Sequence, residues 1–336
     1  MTTRTPASCR GRGRGATGAV RVLTLVTALL VLAAAAAGTA GARAAGPLPA
    51  DVARAFRESD DVARRSESQG KDALHRLQIV ANLRAETPAS PVVILLGGSA
   101  ARECTVDDAS WATDIVRAGG PAVTVFNLGC RHDTFAEDLE IARLLPDGMP
   151  AIVFIGINLG RFANPRQTPT ITLPEPRMPP PPYFQHIYSV TKRVQPRATK
   201  AYYLQYWLKA RDPQFTARYG YNLTTLELVV EACLEHGLHP VLLDLPRDLD
   251  VIGHTLDGQV ARVKAGCSMI AKAYGIPWVT PVKAAGLVDA DYFDLWHLVE
   301  PGRVKYQARL AAKTASLLQR YGLDRPAESD PVEPAD

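Results

Sequence analysis

Five short apolar runs, separated by amphipathic stretches, constrain the fold of this chain more than any other feature. They are PVVILL (91–96), AVTVFN (122–127), AIVFIG (151–156), HPVLLDL (239–245) and IPWVTP (276–281). Their apolar residues are continuous rather than alternating, which is typical of strands buried on both faces. The stretches between and after them predict helices at about 106–118, 134–145, 223–236, 257–273 and 303–321.

Alternating strands and helices of this kind predict an α/β fold with a doubly wound parallel five-stranded sheet and helices on both of its faces. Ligands of such sheets bind beyond the carboxyl ends of the strands. The residues that directly follow each apolar run are therefore the first candidates for a functional site.

The first 44 residues differ in composition from the rest of the chain. They contain an uncharged run, 22–42, followed by Ala42-Arg43-Ala44, and six arginines but no acidic residue. This pattern predicts a secretory signal peptide over residues 1–44. The alternative is an uncleaved membrane anchor, because an uncharged run of about 20 residues is just long enough to span a bilayer. Both interpretations place the remaining residues outside the cytoplasm.

Charge and composition exclude several classes of protein. The chain has 336 residues, 47% of them hydrophobic, which suits a globular fold and argues against disorder and collagen. Its net charge of +4 depends on the six arginines of the first segment, so the rest of the chain carries −2. A nucleic-acid partner therefore has no electrostatic support.

Cysteine usage is compatible with export. Cys9 would leave with the signal peptide, and Cys104, Cys130, Cys233 and Cys267 remain. An even number of cysteines in an exported protein allows two disulfides, and four buried free thiols are the alternative. Their spacing matches no zinc-binding pattern of paired cysteines.

Three segments lie outside the strand and helix alternation. Residues 45–88 are polar and predict a helical N-terminal extension with a break at Gly70. Residues 160–222 form a proline-rich insertion, in which we expect polyproline-II structure and then a helix near 198–211. This insertion is either a lid over the strand ends or a surface-packed segment. The acidic, proline-rich tail, 324–336, is predicted to be disordered.

Residues that could take part in catalysis follow three of the apolar runs, and two more precede the last helix. Ser99 lies in a glycine-flanked turn after the first run, Gly129 follows the second, and Asn158 follows the third. A backbone N–H and a side-chain amide near a hydroxyl are what an oxyanion hole requires. Asp294 and His297 are three residues apart, so the carboxylate can orient the imidazole.

In their order and placement, these four blocks resemble the SGNH, or GDSL-type, serine hydrolase family over about residues 91–321. The resemblance implies a three-layer sandwich in which Ser99 is the nucleophile and Asp294 and His297 complete a catalytic triad. It also implies an oxyanion hole formed by Ser99, Gly129 and Asn158, with no metal or organic cofactor. The chain departs from the family pattern at Gly98, where the family often has an aspartate.

The resemblance leads to a functional expectation for an SGNH-like domain over residues 89–323. We expect an exported serine esterase that hydrolyses or transfers an O-acyl group on an extracellular ester, with an acylated glycan or small molecule as substrate. The alternative is a non-catalytic module of the same fold that binds an extracellular glycan. Membrane attachment is expected only if the signal segment stays uncleaved.

The same resemblance suggests how the cysteines pair. The first two strands are neighbours in a sheet of this family, so Cys104 and Cys130 would lie at one edge of the site. Cys233 and Cys267 fall on the helices before and after the fourth strand. We therefore expect disulfides between Cys104 and Cys130 and between Cys233 and Cys267.

Overall fold

All five apolar runs form strands of one sheet in a computed structural model, which describes residues 62–177 and 194–324. The strands are β1 (Val92–Leu96), β2 (Thr124–Asn127), β3 (Ala151–Ile157), β4 (His239–Asp244) and β5 (Trp278–Val279). They are all parallel, in the order β2-β1-β3-β4-β5. The predicted α/β class and the parallel five-stranded sheet are confirmed.

Helices cover the sheet, and most begin close to their predicted positions. Those longer than two turns are α1 (Val62–Ala85), α3 (Asp108–Arg117), α4 (Phe135–Leu144), α5 (Arg197–Tyr206), α6 (Asp212–Glu235), α8 (Asp257–Tyr274) and α9 (Glu300–Arg320). Two single-turn helices, α2 (Ser99–Arg102) and α7 (Leu249–Ile252), follow β1 and β4. Short 3-10 helices span Leu159–Ala163 and Asp289–Asp291.

The continuous apolarity of the strands has a direct structural cause. Side chains of a strand alternate between faces, and both faces of β1 are buried. Val92, Ile94 and Leu96 pack in a cluster with α1, α4, α6 and α8, whereas Val93 and Leu95 pack in a second cluster with α3 and α9. The sheet is therefore the middle layer of three, as a doubly wound fold requires.

The strand register brings the candidate residues to one edge. Leu96 near the end of β1 pairs with Ile155 of β3, which continues for two more residues to Ile157. Ser99 and Asn158 therefore lie just beyond the same end of the sheet. This edge is the carboxyl end of parallel strands, where ligands of such folds bind.

The N-terminal extension contains α1, which has no break at its glycine. The helix continues through Gly70, so the predicted break is wrong. One glycine costs about 1 kcal/mol relative to alanine in a helix. Burial of Ile79, Val80 and Leu83 against the sheet outweighs that cost, since burying each such side chain contributes roughly 1.5–3 kcal/mol.

The insertion contains one long helical segment. The helix predicted near 198–211 is α5 followed by a π-helical turn, Trp207–Arg211, and α6 then runs on to Glu235. Helix α6 therefore begins well before residue 223, where the sequence predicted its start. Phe215 and Tyr219 explain the early start, because both are buried against Phe162 and extend the apolar face toward the N-terminus.

Several sequence predictions concern residues that the structure does not describe. The signal peptide, 1–44, lies outside the described residues, as do part of the proline-rich insertion, 178–193, and nearly all of the tail, 325–336. Within 62–177 and 194–324, no helix combines the length and apolarity needed to cross a membrane.

The predicted disulfides are absent, which is a correction to the sequence analysis. Cys104, Cys130, Cys233 and Cys267 are all buried free thiols. The Cys104 thiol packs in the cluster beside α9, whereas the Cys130 thiol lies near enough to Arg76 of α1 for that guanidinium to lower its pKa. Cys233 and Cys267 share one apolar cluster but form no bond with each other.

Candidate active site

The turn after β1 presents Ser99 at the start of α2. Gly97 has a φ of +149°, and a Cβ there would lie 2.8 Å from the Cβ of Ala101. Only glycine fits this combination of backbone angle and close packing. Ser99 is the first residue of α2, so its N–H has no partner within the helix.

A hydrogen-bonded chain joins Ser99 to the loop before α9. Nε2 of His297 lies 2.9 Å from Oγ of Ser99. Nδ1 of His297 lies 2.8 Å from Oδ2 of Asp294 and 2.9 Å from Oδ1. The structure thus brings together the three residues predicted as a triad, in the order hydroxyl, imidazole and carboxylate. Such a chain lets the imidazole take a proton from the hydroxyl while the carboxylate holds the ring.

The surroundings of Asp294 keep it charged. Burial acts to raise its pKa, but the charge of His297 and hydrogen bonds from the imidazole outweigh burial, so the pKa is lowered. The backbone N–H groups of Trp296 and His297 also donate to Oδ1, at 2.8 Å and 2.9 Å. Asp294 is therefore an ionised group that orients its neighbour.

The pKa of His297 shifts in the opposite direction. Burial acts to lower it, but the nearby carboxylate of Asp294 and its hydrogen bond prevail, so the pKa is raised. Two buried residues contribute smaller effects, Glu103 raising it and Arg131 lowering it. The side chains of His297 and Asp294 are 11% and 18% exposed, so a substrate can reach the pair without full solvent access.

Neighbouring elements hold the loop that carries Asp294 and His297. The N–H of Phe293 donates to the carbonyl of His297 at 2.8 Å, which closes the loop. Helix α9 packs tightly below it, because a Cβ on Gly302 would lie 2.4 Å from the carbonyl oxygen of Asp291. The imidazole therefore sits on a braced turn.

The backbone N–H of Gly129, predicted to donate to an oxyanion, already has an acceptor within the protein. Its N–H donates to Oδ1 of Asn127 at 3.0 Å, so this donor is engaged within the protein. A Cβ on Gly129 would lie 2.5 Å from the backbone nitrogen of Arg102. The glycine allows the loop after β2 to pack against α2, and we do not assign its N–H to an oxyanion.

Asn127 was missed by the sequence analysis, although it directly ends β2. Its Nδ2 donates to the carbonyl of Ala101 at 3.1 Å and to Oγ1 of Thr105 at 2.9 Å. With the bond from Gly129 to its Oδ1, this buried amide links the nucleophile turn to the loop after β2. Its type and position at a strand end were the only signals that could have identified it.

Asn158 lies beyond β3 with its amide oriented by a helix cap. Its Oδ1 accepts a hydrogen bond from the N–H of Arg161 at 3.2 Å. Because the oxygen is used in this way, the NH₂ group is the part of the side chain left to donate elsewhere. The half-buried residue follows Ile157 at the same edge of the sheet as Ser99.

His132, in the loop after β2, is a second candidate site residue that was not predicted from the sequence. His132 has a φ of +58°, which is rare for a residue other than glycine and often marks functional sites. Its neighbour Asp133 passes close to the nucleophile turn, since its carbonyl oxygen would lie 3.6 Å from a Cβ on Gly98. The capping box of Thr134 and Glu137, a recognisable T-x-x-E pattern, fixes where α4 begins after this loop.

Metal-ligating side chains do not cluster in the part of the chain that is described. Residues 62–177 and 194–324 hold no group of three or more His, Cys, Asp or Glu side chains placed to bind a metal ion. The expectation that the chain uses no metal or organic cofactor remains a prediction.

Solved structures that resemble this one include those of three lipolytic proteins. A member of the lipolytic protein G-D-S-L family from Veillonella parvula is 13% identical, with a TM-score of 0.40, over 66% of this chain and 96% of that one. An extracellular lipase from Streptomyces rimosus is 13% identical (TM-score 0.39; 67% and 100% covered). A phospholipase A1 from Streptomyces albidoflavus is 12% identical (TM-score 0.40; 67% and 99% covered).

Comparison with protein-family models and with curated proteins gives no match. What the site does chemically is therefore derived from its own distances and charges.

Proposed function

We propose that this protein is a serine esterase. The observation that carries the proposal is the continuous chain from Oγ of Ser99 through His297 to the carboxylate of Asp294, with contacts of 2.9 Å and 2.8 Å. A serine hydroxyl is a weak nucleophile until a base within hydrogen-bond reach removes its proton. The imidazole already lies at that distance.

The reaction would proceed through an acyl-enzyme. Oγ of Ser99 attacks the ester carbonyl carbon, and its proton moves to Nε2 of His297. The tetrahedral intermediate then collapses, the bond to the alcohol breaks, and His297 returns the proton to the leaving oxygen. Water or a sugar hydroxyl resolves the acyl-enzyme by the same steps in reverse, which corresponds to hydrolysis or acyl transfer.

Two donors would stabilise the negative oxygen of the tetrahedral intermediate. They are the backbone N–H of Ser99 and the NH₂ group of Asn158, whose oxygen is held by the N–H of Arg161. Fixed donors aimed at a developing charge typically contribute 10²- to 10³-fold each in rate. Gly129 is left out of this set because its N–H is bonded to Asn127.

We also propose that the enzyme acts outside the cytoplasm on an acylated glycan or small molecule. Support comes from the sequence of residues 1–44, in which arginines precede an uncharged run and an A-x-A pattern. The protein is membrane-attached only if that segment is retained.

A non-catalytic glycan-binding module is less consistent with the geometry. Binding alone does not require an imidazole between a carboxylate and a serine hydroxyl, at hydrogen-bond distance from both. The charge of Asp294 is costly to bury and is compensated here by His297 and two backbone N–H groups.

A fluorophosphonate probe tests the enzyme assignment directly, because it phosphonylates only an activated serine. We expect labelling of the wild-type protein, with loss of both labelling and hydrolysis of a short-chain aryl ester in Ser99→Ala. Ser110→Ala is the matched control, since Ser110 is a half-buried serine of α3 whose Oγ bonds with Asp107 and Gln307 rather than with the triad. A wild-type protein that takes no label, or a Ser99→Ala variant that keeps its esterase activity, would refute the proposal.

A further inference from the structure

Helix α1 carries two charged side chains that are buried toward the candidate active site. Asp72 and Arg76 are four residues apart, so they lie on one face of the helix. They are 4% and 3% exposed. Charged residues are almost never buried to this extent unless they are paired.

Asp72 contacts the helix that begins with the nucleophile. Its Oδ1 accepts a hydrogen bond from Nε of Arg102 at 2.9 Å, and the Arg102 side chain is fully buried. Arg102 is the last residue of α2, three positions after Ser99. Burial raises the pKa of Asp72, and the guanidinium groups of Arg102 and Arg131, with the backbone N–H of Arg131 in the loop after β2, act to lower it.

Arg76 contacts the loop after β2. Its Nη1 donates to Oδ1 of Asp133 at 2.8 Å. Asp133 follows the left-handed residue His132, and its carbonyl accepts a hydrogen bond from Nδ2 of Asn164 at 3.3 Å. Arg76 thus holds the stretch of loop that packs against Gly98 in the nucleophile turn.

We infer that Asp72 and Arg76 are positioning residues, which fix the nucleophile turn and the loop after β2 relative to each other from outside the sheet. Buried ion pairs contribute little net stability compared with apolar side chains of the same size. They do restrict geometry, and a displacement of about 1 Å at a catalytic group can cost on the order of 10²-fold in rate. The expected effect on the rate rests on the proposed esterase function, whereas the expected effect on the two loops does not.

The test compares substitutions at three residues of the same helix. Arg76→Gln and Asp72→Asn remove one charge each while keeping a polar side chain of similar size. Arg84→Gln is the control, because Arg84 is exposed and donates to the carbonyl of Leu144 at the end of α4. Hydrogen–deuterium exchange is measured for peptides covering 97–105, 128–134 and, as an internal reference, α9.

We expect Arg76→Gln and Asp72→Asn to speed exchange in 97–105 and 128–134 by about 10-fold or more, since bonds between charged groups stabilise by that order. Exchange in α9 should stay as in wild type, and Arg84→Gln should change neither loop. In ester hydrolysis, Arg76→Gln and Asp72→Asn should each lower kcat about 10-fold or more and leave KM little changed. Arg76→Lys keeps the positive charge, so it should lose less activity than Arg76→Gln.

Two results would overturn the inference. One is unchanged exchange in both loops in Asp72→Asn and Arg76→Gln. The other is faster exchange that extends equally to α9, which would mean that the pairs only support global stability. If Arg76→Gln does not fold, the inference is judged from exchange in Asp72→Asn alone. That variant is expected to fold because the amide oxygen of the new asparagine still accepts a hydrogen bond from Arg102. Lack of esterase activity in the wild type would refute the proposed function alone, because exchange is measured without substrate.

Discussion

Nε2 of His297 lies 2.9 Å from Oγ of Ser99, although the two residues are 198 positions apart in the chain. The parallel sheet makes this contact possible. Ser99 follows β1, an inner strand of the sheet, while His297 lies on a loop braced by α9, which packs against the same sheet. The base and the hydroxyl are therefore aligned before any substrate binds, and this alignment makes the site testable by substitution.

Substitutions at Asn158 separate its donor from its capping role. Asn158→Ala removes both, whereas Asn158→Asp keeps an oxygen that accepts from the N–H of Arg161 but cannot donate. We expect both variants to lose about 100-fold or more in kcat, because the oxyanion loses a fixed donor. Only Asn158→Ala should also lose roughly 1 kcal/mol of stability, the usual contribution of a cap. Full activity in Asn158→Asp would exclude the amide from the oxyanion hole.

The acid limb of the rate profile should reflect the raised pKa of His297. The base must be neutral, so activity should fall as pH decreases, with a midpoint above the ordinary histidine value of about 6.5. Asp294→Asn removes the charge that raises this pKa, so the midpoint should move to lower pH while kcat drops by about 10⁴-fold. An unmoved midpoint in Asp294→Asn would show that another group controls the limb.

The strand positions and the triad residues could be read from the sequence for a physical reason. Strands buried on both faces need continuous apolar runs, and polar residues that follow such runs are brought to one edge by a parallel sheet. Ser99 and Asn158 were identified on that basis, and Asp294 and His297 by their spacing before a helix. Local sequence was sufficient because these positions are set by the order of the elements.

The role of Gly129 could not be read in the same way. Its N–H is bonded to the side chain of Asn127, and a competing acceptor two residues away leaves no mark in a sequence motif. The buried pairs of Asp72 and Arg76 were equally hidden, because a polar helix does not show which of its charges face inward. The cysteines were mispredicted because pairing depends on the surroundings of each thiol, and Cys104 packs in the cluster beside α9 whereas Cys130 does not belong to it.

The cysteines should behave as four protected thiols. Cys104, Cys130, Cys233 and Cys267 are at most 2% exposed, and burial raises the pKa of each. Both effects suppress reaction, since the thiolate is the reactive form. A thiol reagent should therefore label these four positions slowly in the native protein and fully after denaturation without reductant. Peptide mapping that finds any of them in a disulfide would contradict the structure.

Lys200 should stabilise the contact between the insertion and the loop before the triad residues. Its Nζ lies 3.0 Å from Oδ2 of Asp248 and 2.5 Å from Oδ1 of Asp289. Lys200→Met leaves Asp248 buried without its cation, which should cost about 3–5 kcal/mol in the free energy of unfolding. The double variant Lys200→Met/Asp248→Asn should recover much of this loss in denaturant unfolding.

The pH dependence of that loss provides an internal control. Burial raises the pKa of Asp248 to about 6 even with Lys200 present, so removing the cation raises it further. Protonation then removes the unpaired charge, and the loss in Lys200→Met should shrink as pH falls. Equal destabilisation of the single and double variants at every pH would show that the ion pair is not the cause.

Asp108 should make the protein less stable as pH rises, in contrast to a carboxylate in a salt bridge. It is the first residue of α3, and one of its oxygens accepts a hydrogen bond from the backbone N–H of Asn127 at 3.0 Å. Burial raises its pKa from 3.8 to about 7, partly opposed by that bond. The folded state therefore binds the proton more tightly than the unfolded state, and this stabilisation is lost as pH rises from about 4 to about 7.

The variant Asp108→Asn tests this pH dependence, because it keeps an oxygen that accepts from Asn127 but cannot ionise. Its Tm relative to wild type should therefore rise across that interval and level off above it, as thermal unfolding at a series of pH values would show. A Tm difference that stays constant from about pH 4 to about pH 8 would mean that Asp108 titrates alike in both states.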